Sequence, residues 1–249
     1  MVYPPPYIIN PESGNAHTNT IILLHGRGST ARTFAQDLLL LKTSSPSQNL
    51  LAHFPNARWV FPDAGERWCT PFKEKASAWC DTFSLEDLSV RQDLQVAGLR
   101  DGILHVRCIV EEEIERLGGK SEKVILGGFS QGSATALWSL FTGAAVARGP
   151  LGGFFGIGAW MPFTREAKKA VGISEVALAQ EKRVPQLATT FWDILGIDPV
   201  TPVEMIQARL HKMPVSLGHG TDVCISPITK AKQEMLLITV PCDRTFVSA

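Results

Sequence analysis

Short apolar runs alternate along the chain with longer stretches whose apolar residues recur every three or four positions. That alternation predicts an α/β fold with a mostly parallel sheet. Thr20–Leu24 is the first strand-like run, closed by His25-Gly26-Arg27-Gly28, and Thr30–Lys42 follows with helical spacing. Arg58–Phe61 reads as a second strand that stops at Pro62, and 62–88 as a long irregular stretch carrying Trp68 and Trp79. Long ordered loops in compact domains are often functional. Asp93–Leu117 is the longest predicted helix, with Leu99, Ile103, Val106, Val110 and Ile114 near one face and Gly118-Gly119 as a left-handed stop. Within it Glu111–Glu113 read as a solvated face. Lys123–Leu126 is the next strand, Gln131–Ala144 a helix directly after it, and Leu151–Ala159 a Gly- and Phe-rich strand.

Residues 165–212 break the rhythm. They are more charged and read as helical pieces separated by Pro185, Pro199 and Pro202, an insertion packed over one end of the sheet. Thr201-Pro202-Val203-Glu204 has the form of a capping box with Pro at the first helical position, so a helix is expected to start there. Pro214–Leu217 is a strand whose Pro stands first, where a missing N–H is tolerated. Val223–Ala249 is a divergent tail with one strand-like run, Met235–Val240, and no amphipathic final helix. The 249 residues read as a single domain.

Composition narrows the function classes. Lys+Arg (24) balance Asp+Glu (24), so no basic excess exists to displace counterions from nucleic acid. A chain 45% hydrophobic and only 19% charged is not disordered. Its longest apolar stretches, such as Leu151–Phe163, are interrupted by Gly and fall short of the ~20 residues of a transmembrane helix. The N-terminus lacks the basic and apolar regions of a signal peptide. Five irregularly spaced cysteines without a CxxC pair fit free thiols in the cytoplasm. No metal or organic cofactor is implied: there is no phosphate loop, and Gly152–Gly158 lacks the dinucleotide spacing.

The sharpest chemical signal is Gly128-Phe129-Ser130-Gln131-Gly132 between a strand and a helix, the context of a nucleophile elbow. A tight turn there lifts the Ser130 hydroxyl above the sheet. The following helix aims its dipole and free N–H groups at the same point, where an oxyanion develops. The loop after an early strand supplies the second oxyanion N–H in such folds, which assigns the hole to the Arg27 and Gln131 amides. His25 reads as shaping that loop, because the base comes last in the chain order of this fold. Leu217-Gly218-His219-Gly220-Thr221-Asp222 follows a strand, and Asp222 is the nearby carboxylate for the triad acid. Trp79, Trp160 and Met161, with Phe163 beside them, are the substrate-binding candidates for an apolar trough beside Ser130.

Together these stretches resemble the phospholipase/carboxylesterase group of α/β-hydrolases, which includes the acyl-protein thioesterases, and look similar to its fungal members. The matching segments are Ile21–Ser29, Arg58–Pro62, Ala78–Asp81, Val124–Ser133, Gly158–Phe163 and Pro214–Thr221. The resemblance implies an α/β-hydrolase fold with helices on both faces of the sheet. It implies hydrolysis of carboxylic esters or thioesters, with acylated proteins, lysophospholipids or small esters as substrates. Two departures stand out. The family pattern His-Gly-x-x-Asp puts its acid on Val223, one residue past Asp222. The family base lies tens of residues beyond the acid, yet none of the six histidines follows Asp222, which leaves His219 or His211 as substitutes. The final family strand and helix are therefore expected to be missing. A catalytically inactive acyl-ligand-binding homologue, or a truncated gene product whose tail is translated intron, is the alternative reading.

Overall fold

The computed structural model describes residues 2–41, 48–172, 180–218 and 246–248. In chain order the elements begin with β1 (Tyr7–Ile9), β2 (Asn19–Leu24), α1 (Ala31–Leu40), α2 (Leu50–His53) and β3 (Ala57–Phe61). A hairpin of β4 (Glu66–Cys69) and β5 (Glu74–Ser77) precedes α3 (Gln95–Arg116), β6 (Val124–Phe129), α4 (Gln131–Phe141) and β7 (Gly153–Ile157). The chain continues with α5 (Thr164–Ala170), α6 (Gln180–Leu195), α7 (Val203–Leu210), β8 (Val215–Gly218) and β9 (Phe246–Ser248). Seven strands form one sheet in the order β1-β3-β2-β6-β7-β8-β9. Every pairing in it is parallel except β1 with β3.

The run Ile21-Ile22-Leu23-Leu24 is apolar throughout because β2 is covered on both faces. Alternation sorts its side chains: Ile22 and Leu24 join the larger core with α3, α4 and α6, while Ile21 and Leu23 pack with Trp59, Phe61 and α1 on the other face. α4 is buried along its whole length. It tolerates this because Thr135 and Ser139 donate their hydroxyls to carbonyls four residues back, and Thr142 does the same at its end.

Several expectations are corrected. The stretch 62–88 holds the β4–β5 hairpin, and Tyr7–Ile9 adds an antiparallel edge strand. Glu113 is buried rather than solvated, because α3 turns it onto Arg58 and Thr20. Pro185 lies inside α6 instead of ending a helix. Its lost bond is outweighed by burial of Val184, Leu187, Phe191 and Leu195. Thr201 does not cap α7: its hydroxyl donates to Gly143 O at 2.9 Å, and α7 starts at Val203 without a side-chain cap. In the 165–212 region the described helices pack on the helical layer. Its α6 packs on α4, with the Phe191 ring stacked on Trp138 at 3.8 Å and Trp192 Nε1 donating to Thr142 O. A short final strand, β9, pairs in parallel with β8 where the last strand was expected to be missing. Met235–Val240 lies outside the described residues.

Candidate active site

β6 ends at Phe129 and α4 begins at Gln131, so a single residue, Ser130, makes the turn. It stands at φ 51° and ψ −118°, a region costly for any residue with a side chain. Hydrogen bonds hold it there: Ser130 N–H donates to Ile157 O at 2.8 Å, and Ala134 N–H donates to Ser130 O at 3.1 Å. The turn is so tight that a Cβ at position 132 would sit 2.4 Å from Leu24 O and 2.5 Å from His25 O. Gly132 therefore lets α4 start against the carboxyl end of β2, which brings the 25–28 loop beside the elbow. The eleven-residue α4 then points its amino end, with its partial positive charge, at Ser130.

Gly26, Arg27, Leu85, Phe129, Ser130, Gln131 and Trp160 line one cavity of about 160 Å³. The Arg27 and Gln131 N–H groups have no hydrogen-bond partner among the described residues, whereas Gly28 N–H donates to Ser77 O. The chain thus brings Ser130, Arg27, Gln131 and Trp160 together. Trp79 is not brought there. It is fully buried, and its indole N–H donates to His25 O at 2.8 Å, as a buried indole N–H usually finds an acceptor. Met161 is likewise a buried core residue that does not line the cavity. Phe163, buried and tilted against Trp138, is also core. Phe129 and Leu85 form the exposed apolar rim instead. Position supplies the missed signal for Phe129, since the residue before the elbow serine closes a strand at the sheet's carboxyl edge. Leu85 lies in an irregular segment with no periodicity to flag it.

Five histidines lie among the described residues, and none faces Ser130. His25 is committed on both nitrogens: Nδ1–H donates to Gly26 O at 2.8 Å, and Nε2 accepts from Ala64 N–H at 3.0 Å. That fixes its neutral tautomer, and burial lowers its pKa further. His105 stacks on Tyr3 at 3.9 Å, and burial pushes it down to about 4. His17 and His53 precede β2 and β3 at the amino end of the sheet. His211 ends α7 ahead of β8, also at that end, so it is no substitute base for an elbow at the carboxyl end. His219 and Asp222 lie outside the described residues. Among the described residues no group of three or more His, Cys, Asp or Glu side chains is placed to hold a metal ion. None of their helices is long and apolar enough to cross a membrane.

A sheet of this order with a strained Ser130 at its centre defines a class, and comparison with known proteins narrows it. The sequence profile of the phospholipase/carboxylesterase family matches residues 6–182. Acyl-protein thioesterase 1 of Schizosaccharomyces pombe is 31% identical over 196 residues, 78% of this chain and 74% of that protein. Acyl-protein thioesterase 1 of Yarrowia lipolytica is 28% identical over 160 residues, 64% of each chain. The crystal structure of Zea mays acyl-protein thioesterase 2 superposes with a TM-score of 0.58 at 23% identity, over 99% of this chain and 91% of that one, which speaks to the fold. The chain belongs to the phospholipase/carboxylesterase family of α/β-hydrolases, and it is a hydrolase of the acyl-protein thioesterase/carboxylesterase type.

Proposed function

We propose that this chain is a cytoplasmic serine hydrolase that cleaves carboxylic ester or thioester bonds of acylated proteins, lysophospholipids or small esters. The observation that carries the reading is Ser130, held at φ 51° beside two N–H groups that have no protein partner among the described residues. In the proposed reaction Ser130 Oγ attacks the carbonyl carbon and its proton passes to a base. The carbonyl oxygen becomes an oxyanion that accepts from Arg27 N–H and Gln131 N–H. Collapse expels the alcohol or thiol, and water releases the acyl group from Ser130 in a second round. Phe129, Leu85 and Trp160 offer the acyl chain its apolar contact. Asp222 is the proposed acid.

A second reading has its own support. None of the five described histidines faces Ser130, and a serine hydroxyl without a base is a poor nucleophile. On that reading the chain binds acyl ligands without turning them over.

Hydrolysis of p-nitrophenyl butyrate by the purified chain, beside Ser130→Ala, separates the two. The hydrolase reading expects turnover that vanishes in the variant. Equal rates in two folded proteins would sink it and favour the binding reading.

A further inference from the structure

The segment 77–82 touches both halves of the proposed oxyanion hole. Toward the 25–28 loop, Ser77 O accepts from Gly28 N–H at 2.8 Å, and Trp79 Nε1–H donates to His25 O at 2.8 Å. Arg27 Nη1–H donates to Thr82 O at 3.1 Å. Toward the elbow, the Gln131 carboxamide is fully engaged. Its Oε1 accepts from Trp79 N–H at 2.8 Å, and its Nε2 donates to Cys80 O at 2.8 Å and to Thr82 Oγ1 at 3.0 Å. Trp79, Thr82 and Gln131 are all at most 2% exposed, so water does not compete for these bonds. The back of the segment is held as well. Position 98 of α3 lies so close that a Cβ there would fall 2.6 Å from Trp79 O and Cys80 Cα.

The two N–H donors sit on separate elements, one on the loop after β2 and one on the first residue of α4. A hole acts on a developing oxyanion only when its donors hold one spacing and aim before the reaction begins. The shared partner of both elements is the 77–82 segment.

We propose that residues 77–82 are a clamp that sets the separation and aim of the Arg27 and Gln131 N–H groups, with the Gln131 carboxamide as its positioning group. The clamp rests on the hydrolase reading of that site. It gives Trp79 a role as a strut between the two elements rather than as a substrate contact.

The test compares Gln131→Met, Thr82→Val and Thr82→Ser with the wild-type chain, each first shown to be folded by circular dichroism and thermal unfolding. With p-nitrophenyl butyrate, Gln131→Met is expected to lower kcat about 10- to 100-fold with KM within about twofold, because a donor misplaced by an ångström loses transition-state contact only. Thr82→Val is expected to lose part of that, and Thr82→Ser, which keeps the acceptor oxygen, to recover it. A change confined to KM, or an unchanged kcat in folded Gln131→Met, would overturn the clamp. Should Gln131→Met fail to fold, equal kcat values in Thr82→Val and Thr82→Ser would overturn it.

Butylboronic acid supplies a readout without turnover. Ser130 Oγ bonds to boron, its proton leaves to solvent water, and the tetrahedral boronate anion places one of its hydroxyl oxygens in the hole. Calorimetry is expected to show about tenfold weaker binding in Gln131→Met. Equal affinity in Gln131→Met and wild type, or no binding by wild type at all, would overturn the clamp. A wild-type chain that turns over no ester sinks the hydrolase reading alone, while the boronate series still decides the clamp.

Discussion

The two ends of the same parallel strands are built on opposite principles. At the amino end a buried polar network is matched. Glu113 accepts from Arg58 Nε at 3.1 Å and from Thr20 Oγ1 at 3.0 Å, with Arg116 at 3.4 Å. Arg58 also donates to Asn10, and His17 Nε2 meets Thr20 Oγ1 at 2.9 Å. At the carboxyl end the same strands leave two N–H groups without partners among the described residues and hold Ser130 in a strained turn. Buried polar groups are normally satisfied. The satisfied end therefore maintains the fold, and the unsatisfied end is where a ligand's charge has a place.

That contrast can be broken by substitution at either end. The largest expected effect is at the amino end. Glu113→Ala leaves Arg58 a nearly buried cation without its main partner, which costs about 3–5 kcal/mol for such pairs. Urea unfolding measures the loss. If turnover per folded molecule fell with it, the two ends would not be independent.

Ser130→Gly sharpens the contrast from the other side. It removes the proposed nucleophile but also a side chain held at positive φ. We expect a gain of about 1 kcal/mol in stability, strain relief exceeding the added entropy of glycine in the unfolded chain. A lower midpoint of thermal unfolding than wild type would show that Ser130 is not strained.

His105 lies between the two ends. Burial holds it at about 4 rather than 6.5, with Asp63 acting weakly in the other direction. The unfolded chain binds a proton that the folded chain refuses. Stability is therefore complete above about pH 6.5 and is lost as the pH falls toward about 4. His105→Phe keeps the stack on Tyr3 without the titration, so its melting temperature should fall less steeply on acidification. His25, whose pKa is also lowered by burial, keeps some slope in the variant. Identical slopes would mean that His105 does not titrate in this window. The smallest effect is expected for His211→Ala. It lies at the amino end of β8, and ester turnover should match wild type within error.

Much of the site was legible in the chain itself. The strand–turn–helix context of Gly128–Gly132 anticipated the one-residue turn at Ser130 between β6 and α4, because local sterics alone require small residues around such a turn. The loop after Leu24 was legible for the same reason. What eluded a linear reading were residues whose partners are far away in sequence. Glu113 looked solvated because its neighbours in the helix are charged, and its partners Arg58 and Thr20 lie 55 and 93 residues away. Thr201 looked like a cap until Gly143 O offered its hydroxyl a buried acceptor 58 residues distant.

The sequence by itself determined the alternation of strands and helices, the elbow and the loop beside it, since periodicity and turn chemistry act over a few residues. Only the tertiary structure decided which aromatic residues meet the cavity and which carry the walls. Trp79 and Trp160 are the same residue type in comparable loops. Trp79 is fully buried with its indole N–H donating to His25 O, while Trp160, also buried, lines the cavity.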